Sequence, residues 1–434
     1  MARKEIQPAK PGLGVWFKAF VHAVPRSGLL VGLLAVVIAF VIGALLILIS
    51  GESPLAAYDA MFRGAIFNYN AANIERALFR PIGDTLMYAT PLILAGLGLG
   101  VGFRAGLFNI GGTGQLVFGS LAAIWVAFNY PLPPVLHTVV ALLAAAIAGG
   151  IYAGIAGVLK AKTGANEVIV TIMLNSISGL ALSYILLQKA WQRPGTGEPR
   201  TPVAMDSASF DTFIPGSKLH TGIIVALLAV LFYWWLLNRS KVGFEIRAVG
   251  ANPNAARTAG MSTGRTIIIT MVVSGMFVGL AGANEALGTL GYVDQNIAGT
   301  VGFDAITVAL LGQSSPIGIL LSGILFGAFK AGGYTMQSSA HVPIDMILIL
   351  QSTIVLLIAA PALVRFLFRL PKPDKMSMRE YVRIATSGGS VAHVDETGKV
   401  EVVANAEEPG EVADAVGGST EIDEATNDSK EDAR

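Results

Sequence analysis

Ten continuous apolar blocks, most of them long enough to cross a bilayer, punctuate the chain. A helix needs roughly 20 apolar residues to span the hydrocarbon core. In lipid every backbone N–H and C=O must be paired internally, which restricts spanning segments to helices or a closed barrel. A barrel carries alternating segments of about 10 residues, and these blocks do not alternate. The sequence therefore predicts an all-α, polytopic membrane protein of about ten transmembrane helices. Composition agrees: 14% of the 434 residues are charged, against about a quarter in a soluble domain. The 50 glycines suit closely packed membrane helices. The absence of cysteine excludes disulfides and thiolate ligands.

The blocks fall at about 27–49, 82–102, 106–128, 136–159, 167–188, 221–238, 266–288, 300–312, 316–333 and 343–364. The stretch 300–312 is short enough to be read as a broken helix. Between the first two blocks, 51–80 reads as a polar connection, with an interfacial helix expected near Tyr58–Phe67. The formal charge of +1 averages two unlike parts. From Val391 onward there are 13 acidic and 3 basic residues, leaving 16 acidic and 27 basic ahead of them. Arg3, Lys4, Lys10, Lys18 and Arg26 precede the first block, which is too long for a signal-peptide core. By the positive-inside rule they place the N-terminus in the cytoplasm. Arg365, Arg369, Lys372 and Lys375 do the same for the C-terminus.

This divides the chain into a cytoplasmic segment, 1–26, a transmembrane domain, 27–365, and an acidic cytoplasmic tail, 366–434. The tail is expected to be largely disordered, being poor in large apolar residues. The Pro/Gly-rich stretch 189–219 reads as an external loop, and the basic stretch 239–265 as a cytoplasmic one. Five crossings per half, starting on opposite sides, is the parity of a five-plus-five inverted repeat.

In the cytoplasmic loop, Gly243-Phe-Glu-Ile-Arg-Ala-Val-Gly-Ala-Asn-Pro-Asn-Ala-Ala-Arg-Thr-Ala-Gly260 encodes a capped helix. Asn252 suits the cap, Pro253 the first turn, and Gly260 the terminator. The product is a rigid knob with a small-residue face and Arg257 beside it. It reads equally as a docking element or as an ordinary loop helix without a partner.

Here the sequence resembles the ABC permeases for branched-chain amino acids, simple sugars and nucleosides. Gly243, Arg247, Ala248, Gly250, Asn252, Ala255, Ala256 and Gly260 match their coupling-loop pattern. The stretch Phe103-Arg-Ala-Gly-Leu-Phe-Asn-Ile-Gly-Gly-Thr-Gly-Gln115 is similar to the same family. It departs at Thr113, where many relatives carry an acidic residue, so a role for that carboxylate does not carry over. Gly164-Ala-Asn-Glu-Val-Ile-Val-Thr-Ile-Met-Leu-Asn175 resembles the nucleoside and simple-sugar branch. With 301–330, the resemblance covers nearly all of the membrane body.

The resemblance implies an ABC-importer permease for a nucleoside, with a simple sugar as the alternative. It implies a paired permease subunit (a second copy or a homologue), ABC ATPase subunits, an external substrate-binding protein, and a bacterial cell membrane as the location. Gly243, Glu245, Arg247, Gly250, Asn252, Pro253, Ala255, Ala256, Arg257 and Gly260 would dock on the ATPase. ATP and Mg would be bound by that partner and not by this chain, which has no Gly-x-x-x-x-Gly-Lys-Ser/Thr phosphate loop.

Polar residues inside membrane helices are expensive and suggestive of function. Asn109, Gln115, Asn175, Asn284, Glu285, Asp304 and Gln313 are the candidates for a substrate pathway, with Phe108, Trp125 and Phe303 available to stack on a base. The competing reading for each is helix–helix hydrogen bonding. Asn166 and Glu167 have a competing reading as a helix cap at the membrane surface. The pairs Gly98/Gly102, Gly150/Gly154, Gly275/Gly279 and Gly323/Gly327 suit close helix packing.

Other classes find less support. Gly260-Met-Ser-Thr-Gly264 matches a hydrolase nucleophile elbow, but that motif needs a strand–turn–helix setting. His22, His137, His220, His341 and His393 are scattered without metal-ligand spacing. An ion-coupled transporter would need a relay of buried charges, and only Glu285 and Asp304 offer themselves. No nucleic-acid partner is implied.

Overall fold

The computed structural model describes residues 28–195, 197–213, 218–343, 345–359, 361–369, 389–394 and 400–404. The basic segment 1–26 and most of the acidic tail lie outside the described residues. The described residues fall into two units, one spanning 31–369 and a second that includes 389–394 and 400–404.

The larger unit is helical. Helix α1 (Gly28–Ile49) leads to α2 (Pro54–Ala65), and a wide turn at Glu75–Phe79 runs into α3 (Arg80–Arg104). There follow α4 (Gly112–Asn129), α5 (Pro134–Thr163), α6 (Glu167–Leu186) and α7 (Gly222–Arg239). The short α8 (Lys241–Ala251) and α9 (Pro253–Thr258) come next, then α10 (Thr263–Asn284), which continues through a wide turn to Thr289. The unit ends with α11 (Val301–Leu311), α12 (Pro316–Ala340), α13 (Asp345–Ala359) and α14 (Pro361–Leu367).

Each expected apolar block holds a helix. Among the described residues, six helical stretches are long and apolar enough to cross a membrane: 76–104, 134–163, 167–186, 222–239, 263–289 and 316–340. The polytopic architecture follows from these six, whereas a count of ten crossings does not. Helix α4 starts at Gly112, because Gly106 takes a positive φ of 70° and residues 105–111 form a loop. The 11 residues of α11 rise only about 16 Å, about half the hydrocarbon thickness. Helix α2 is not merely a polar connection. Its Ala57, Ala60, Met61 and Ala65 are buried, and it packs mainly on α12.

The packing is reciprocal. Helix α3 packs on α12 as α10 packs on α5, and α3 and α10 also meet each other. The exchange of α3–α6 with α10–α13 is what the expected two-fold repeat produces. Small residues permit the closest approaches. A Cβ on Gly275 would meet the Gly149 carbonyl, one on Gly279 the Ala145 carbonyl, and one on Gly119 the backbone of Gly279. Helices α4, α5 and α10 therefore touch backbone to backbone.

Helices α6 and α7 turn Ile172, Met173, Ile177, Leu180, Leu228, Leu231 and Trp235 outward. That surface is costly in water and neutral against acyl chains. A second apolar cluster joins α1, α2, α12 and α13, with Phe40 edge-on to Tyr58 and Phe329.

In the smaller unit, β1 (Gly389–Val394) and β2 (Val400–Ala404) pair antiparallel with a bulge between Val391 and His393. Val391, Val394, Val400, Val402 and Val403 supply the β-branched side chains that a short ladder needs.

Candidate functional site

Two regions of the larger unit carry unusual chemistry, and α10 connects them. Its 27 residues through Thr289 rise about 40 Å. One region lies before its first residue and the other around its last turn.

At the first end, α8 and α9 form a stepped pair. Ser240 Oγ accepts from Gly243 N–H at 2.9 Å and caps α8. Asn252 Oδ1 accepts from the N–H groups of Asn254 and Ala255 at 3.0 and 3.1 Å and caps α9. Gly260, at φ +82°, closes α9 in the left-handed conformation, with its N–H donating to Arg257 O at 2.9 Å. Of the two helices, α8 is the seated one. Gly243 lies against the Leu236 carbonyl and Gly250 against the Arg104 carbonyl, where any Cβ would collide, and Ile246 and Val249 are buried. Helix α9 stands clear. Asn252, Pro253, Ala255 and Arg257 are exposed, and Ala256 alone in the helix is buried. Arg247 is exposed and Glu245 half-buried.

Arg104, behind Gly250, extends this region. It donates from Nε to Ser314 O at 3.1 Å and from Nη2 to Gln313 O at 3.2 Å. The buried Tyr233 hydroxyl donates to the same Ser314 carbonyl at 2.8 Å. Gln313 and Ser314 both have φ near +50°, a conformation unfavourable to side-chain-bearing residues by about 1–2 kcal/mol each. A strained turn between α11 and α12 is thus gripped from α3 and α7, close to where α8 sits. Gln313 belongs to this grip through its backbone.

At the far end of α10 a cavity of about 790 Å³ opens between α3, α10, α11, α12 and α13. Tyr88, Glu285, Lys330, Tyr334 and Gln351 are among its lining side chains. Tyr88 and Tyr334 stack with centroids 5.5 Å apart. Lys330 Nζ lies 2.8 Å from Asp304 Oδ2 and donates to Thr300 Oγ1 at 3.0 Å. The Nε2 of buried Gln351 has no partner.

Of the residues expected along a substrate pathway, Glu285 lines this cavity and Asp304 sits at its edge through Lys330. Asn109, Gln115 and Asn175 do something else. Asn109 and Gln115 bond each other reciprocally, and Asn109 also donates to Ser274 Oγ at 2.9 Å. Asn175 Oδ1 accepts from Gly114 N–H, and its Nδ2 donates to Ile110 O, both at 2.9 Å. These three amides tie the 105–111 loop and the start of α4 to α6 and α10, the packing alternative. Asn166 caps α6, and Glu167 pairs with Lys160 at 2.5 Å.

Asn284 is buried with both amide atoms unpartnered. It faces Gly222 beside His220, whose ring also lies against Gly288. His220 Nδ1 accepts from Gly222 N–H, so the neutral ring carries its proton on Nε2, which has no partner. Burial pushes this imidazole down to about 4.

Sequence reading missed Tyr88, Lys330, Tyr334 and Gln351. Lys330 carried a usable signal, being a lone cation inside an apolar block. Tyr88 and Tyr334 did not, because only the fold brings them together. Among the described residues no group of three or more His, Asp or Glu is placed to hold a metal ion.

Comparison with known proteins yields a consistent set. The family described as branched-chain amino acid transport system / permease component matches residues 82–360. The guanosine ABC transporter permease of Bacillus subtilis is 41% identical over 342 residues, covering 78% of this chain and 95% of that protein. A nucleoside ABC transporter permease of Lactococcus lactis is 33% identical, over 80% of this chain and 95% of its own length. A glucose ABC transporter permease of Haloferax volcanii is 33% identical, over 74% of this chain and 85% of its own. No solved structure matches.

Proposed function

We infer the function from one premise: the chain belongs to the branched-chain amino acid transport system permease family of ABC transporters. It acts as the membrane-spanning permease subunit of a nucleoside importer. One observation carries this reading, the 41% identity that extends over 95% of a guanosine permease. Two relatives named for guanosine and nucleosides are each matched over 95% of their own length.

The structure supports a division of labour along α10. Helix α9 projects as a capped knob of the size that fits a groove on an ATPase subunit. Helix α8 transmits its displacement to Arg104, and Arg104 to the turn that joins α11 and α12. In this reading the cavity at the other end of α10 faces the external binding protein, and the basic flanks of the sequence argue for both chain termini in the cytoplasm. Chemical energy comes from ATP bound with Mg by the partner, and this chain supplies the pathway. A second permease subunit, identical or homologous, completes that pathway in the plasma membrane of the cell.

Reconstitution in proteoliposomes tests this. The chain assembled with its ATPase, paired permease and binding protein is expected to take up guanosine only with ATP. Uptake by the chain alone under an ion gradient would sink the assignment. ATP-driven uptake of glucose with no nucleoside transport would move it to the sugar branch.

A further inference from the structure

We propose that the cavity around Glu285 is a base-recognition site for a purine nucleoside that presents adjacent ring N–H and amino donors, as guanine does. This rests on the nucleoside reading above and adds the residues that would select among nucleosides.

Four observations converge. The volume of about 790 Å³ falls inside the roughly 300–1,000 Å³ of small-molecule sites. Tyr334 is 51% exposed and stacked on Tyr88, so the pair offers a flat, backed surface. Aromatic platforms of this kind hold nucleobases through their π faces. Gln351 is 4% exposed and lines the cavity with an unpartnered Nε2. A buried donor of this kind calls for an acceptor, and a base carbonyl or a ribose oxygen supplies one. The fourth observation concerns charge. Two cations line the cavity: Lys330, which pairs with Asp304 and donates to Thr300, and the exposed Lys218. Glu285 takes part in none of the salt bridges among the described residues. The Thr289 hydroxyl and the Lys330 charge are its polar neighbours, and its carboxyl lines the cavity beside them, within reach of a ligand.

A pair of N–H donors from a ligand favours the ionised form of the Glu285 carboxyl, because hydrogen bonds donated to the charged form stabilise it. Ionised, it only accepts, and its two oxygens take the parallel donors in a bidentate contact. The N1–H and amino group of guanine are such a pair. Adenine places an acceptor where guanine has N1–H, so it forfeits half the contact and sets a lone pair against the carboxylate. Sites built to bond a polar group reject analogues that lack it more strongly than apolar pockets reject a missing methylene.

The test uses the assembled transporter in nanodiscs without its external binding protein, so that the permease alone is probed. Saturation-transfer NMR reads the apparent affinity for guanosine, adenosine and glucose, and ATP-driven uptake of the same compounds runs in parallel in proteoliposomes with the binding protein present. Wild type is expected to favour guanosine over adenosine. Glu285→Gln is expected to weaken guanosine by about tenfold and adenosine by less than about threefold, removing the preference. Tyr334→Ala is expected to weaken both about tenfold, and Tyr334→Phe neither. If wild type takes up guanosine while all three variants bind it within about twofold, the site is wrong and the nucleoside function stands. If wild type takes up glucose and no nucleoside, the function falls and this site with it. Should Glu285→Gln fail to assemble, the Tyr334 pair decides alone, and equal affinities for Ala and Phe overturn the proposal.

Discussion

Single side chains in this protein are governed by the expense of burying a group that prefers water, and His220 shows it most simply. Its neutral ring lies stacked near Phe210 at 5.6 Å and bonded to the Gly222 amide. Folding moves its pKa from 6.5 to about 4. Above pH 6.5 both folded and unfolded chains hold it neutral, and it adds no pH dependence. Between 6.5 and about 4 only the unfolded chain takes up the proton, so stability falls as pH falls, by about 3 kcal/mol in all. Thermal melts of the purified protein from pH 8 to 4.5 should therefore drop more steeply in wild type than in His220→Gln. Parallel curves would remove this residue from the acid response.

Lys330 and Asp304 make the complementary case, with side chains only 19% and 12% exposed. Removing one charge strands the other, so Lys330→Met is expected to lose about 3–5 kcal/mol. Lys330→Met combined with Asp304→Asn should recover most of that loss. A double-mutant cycle of melting curves checks it, and additive losses would show that the pair does not interact.

Among the helices, packing is set by glycine where two backbones meet. Gly275 and Gly279 of α10 lie on Gly149 and Ala145 of α5, with Gly119 of α4 behind Gly279. A side chain there must push helices apart, and overpacking costs about 1–3 kcal/mol even where flexible side chains can yield. Gly279→Val should therefore sharply reduce the yield of folded protein. Gly179→Ala, on an open face of α6 with nothing within 4 Å, should leave it unchanged. Size-exclusion profiles of the two variants in detergent decide the point, and equal yields would contradict the close approach. This seam was readable in the sequence as Gly275/Gly279, because small residues at helical spacing have few other uses in lipid. The Gly98/Gly102 pair was only half informative. Gly98 lies against the Ser274 carbonyl of α10, whereas Gly102 faces its own loop at Leu107. Helix positions were legible because apolar length has a direct physical cause. The role of each buried amide was not, since Asn109 in a packing network and Asn284 left unpartnered carry the same local signal. Tyr88 and Tyr334 lie far apart in sequence, so no local pattern announces their stack.

At the scale of the whole molecule, the two functional ends must communicate, and α9 is the part that meets the outside. Its cap, proline start and glycine stop favour the helical turn locally, and only Ala256 of its residues is buried. A helix so exposed gains little stability for the monomer, so substitutions on its surface should leave folding intact. The seated α8 behaves differently, because Gly250 bears directly on Arg104 and Arg104 holds the strained Gln313–Ser314 turn. In the proposed coupling, a displacement of α9 would reach the α11–α12 junction through α8 and Arg104. Arg257→Glu reverses the charge of an exposed residue on α9, and Arg247→Glu does so on α8. Each variant is expected to melt within about 1 °C of wild type, since surface changes are usually within ±0.5 kcal/mol. In the assembled transporter, Arg257→Glu should lower ATP-driven guanosine uptake at least tenfold and weaken co-purification of the ATPase. Guanosine binding at the far cavity should be unchanged. That combination separates a broken docking contact from a misfolded chain or a damaged site. If both charge reversals transport at the wild-type rate, α9 is an ordinary capped loop helix and the ATPase docks elsewhere.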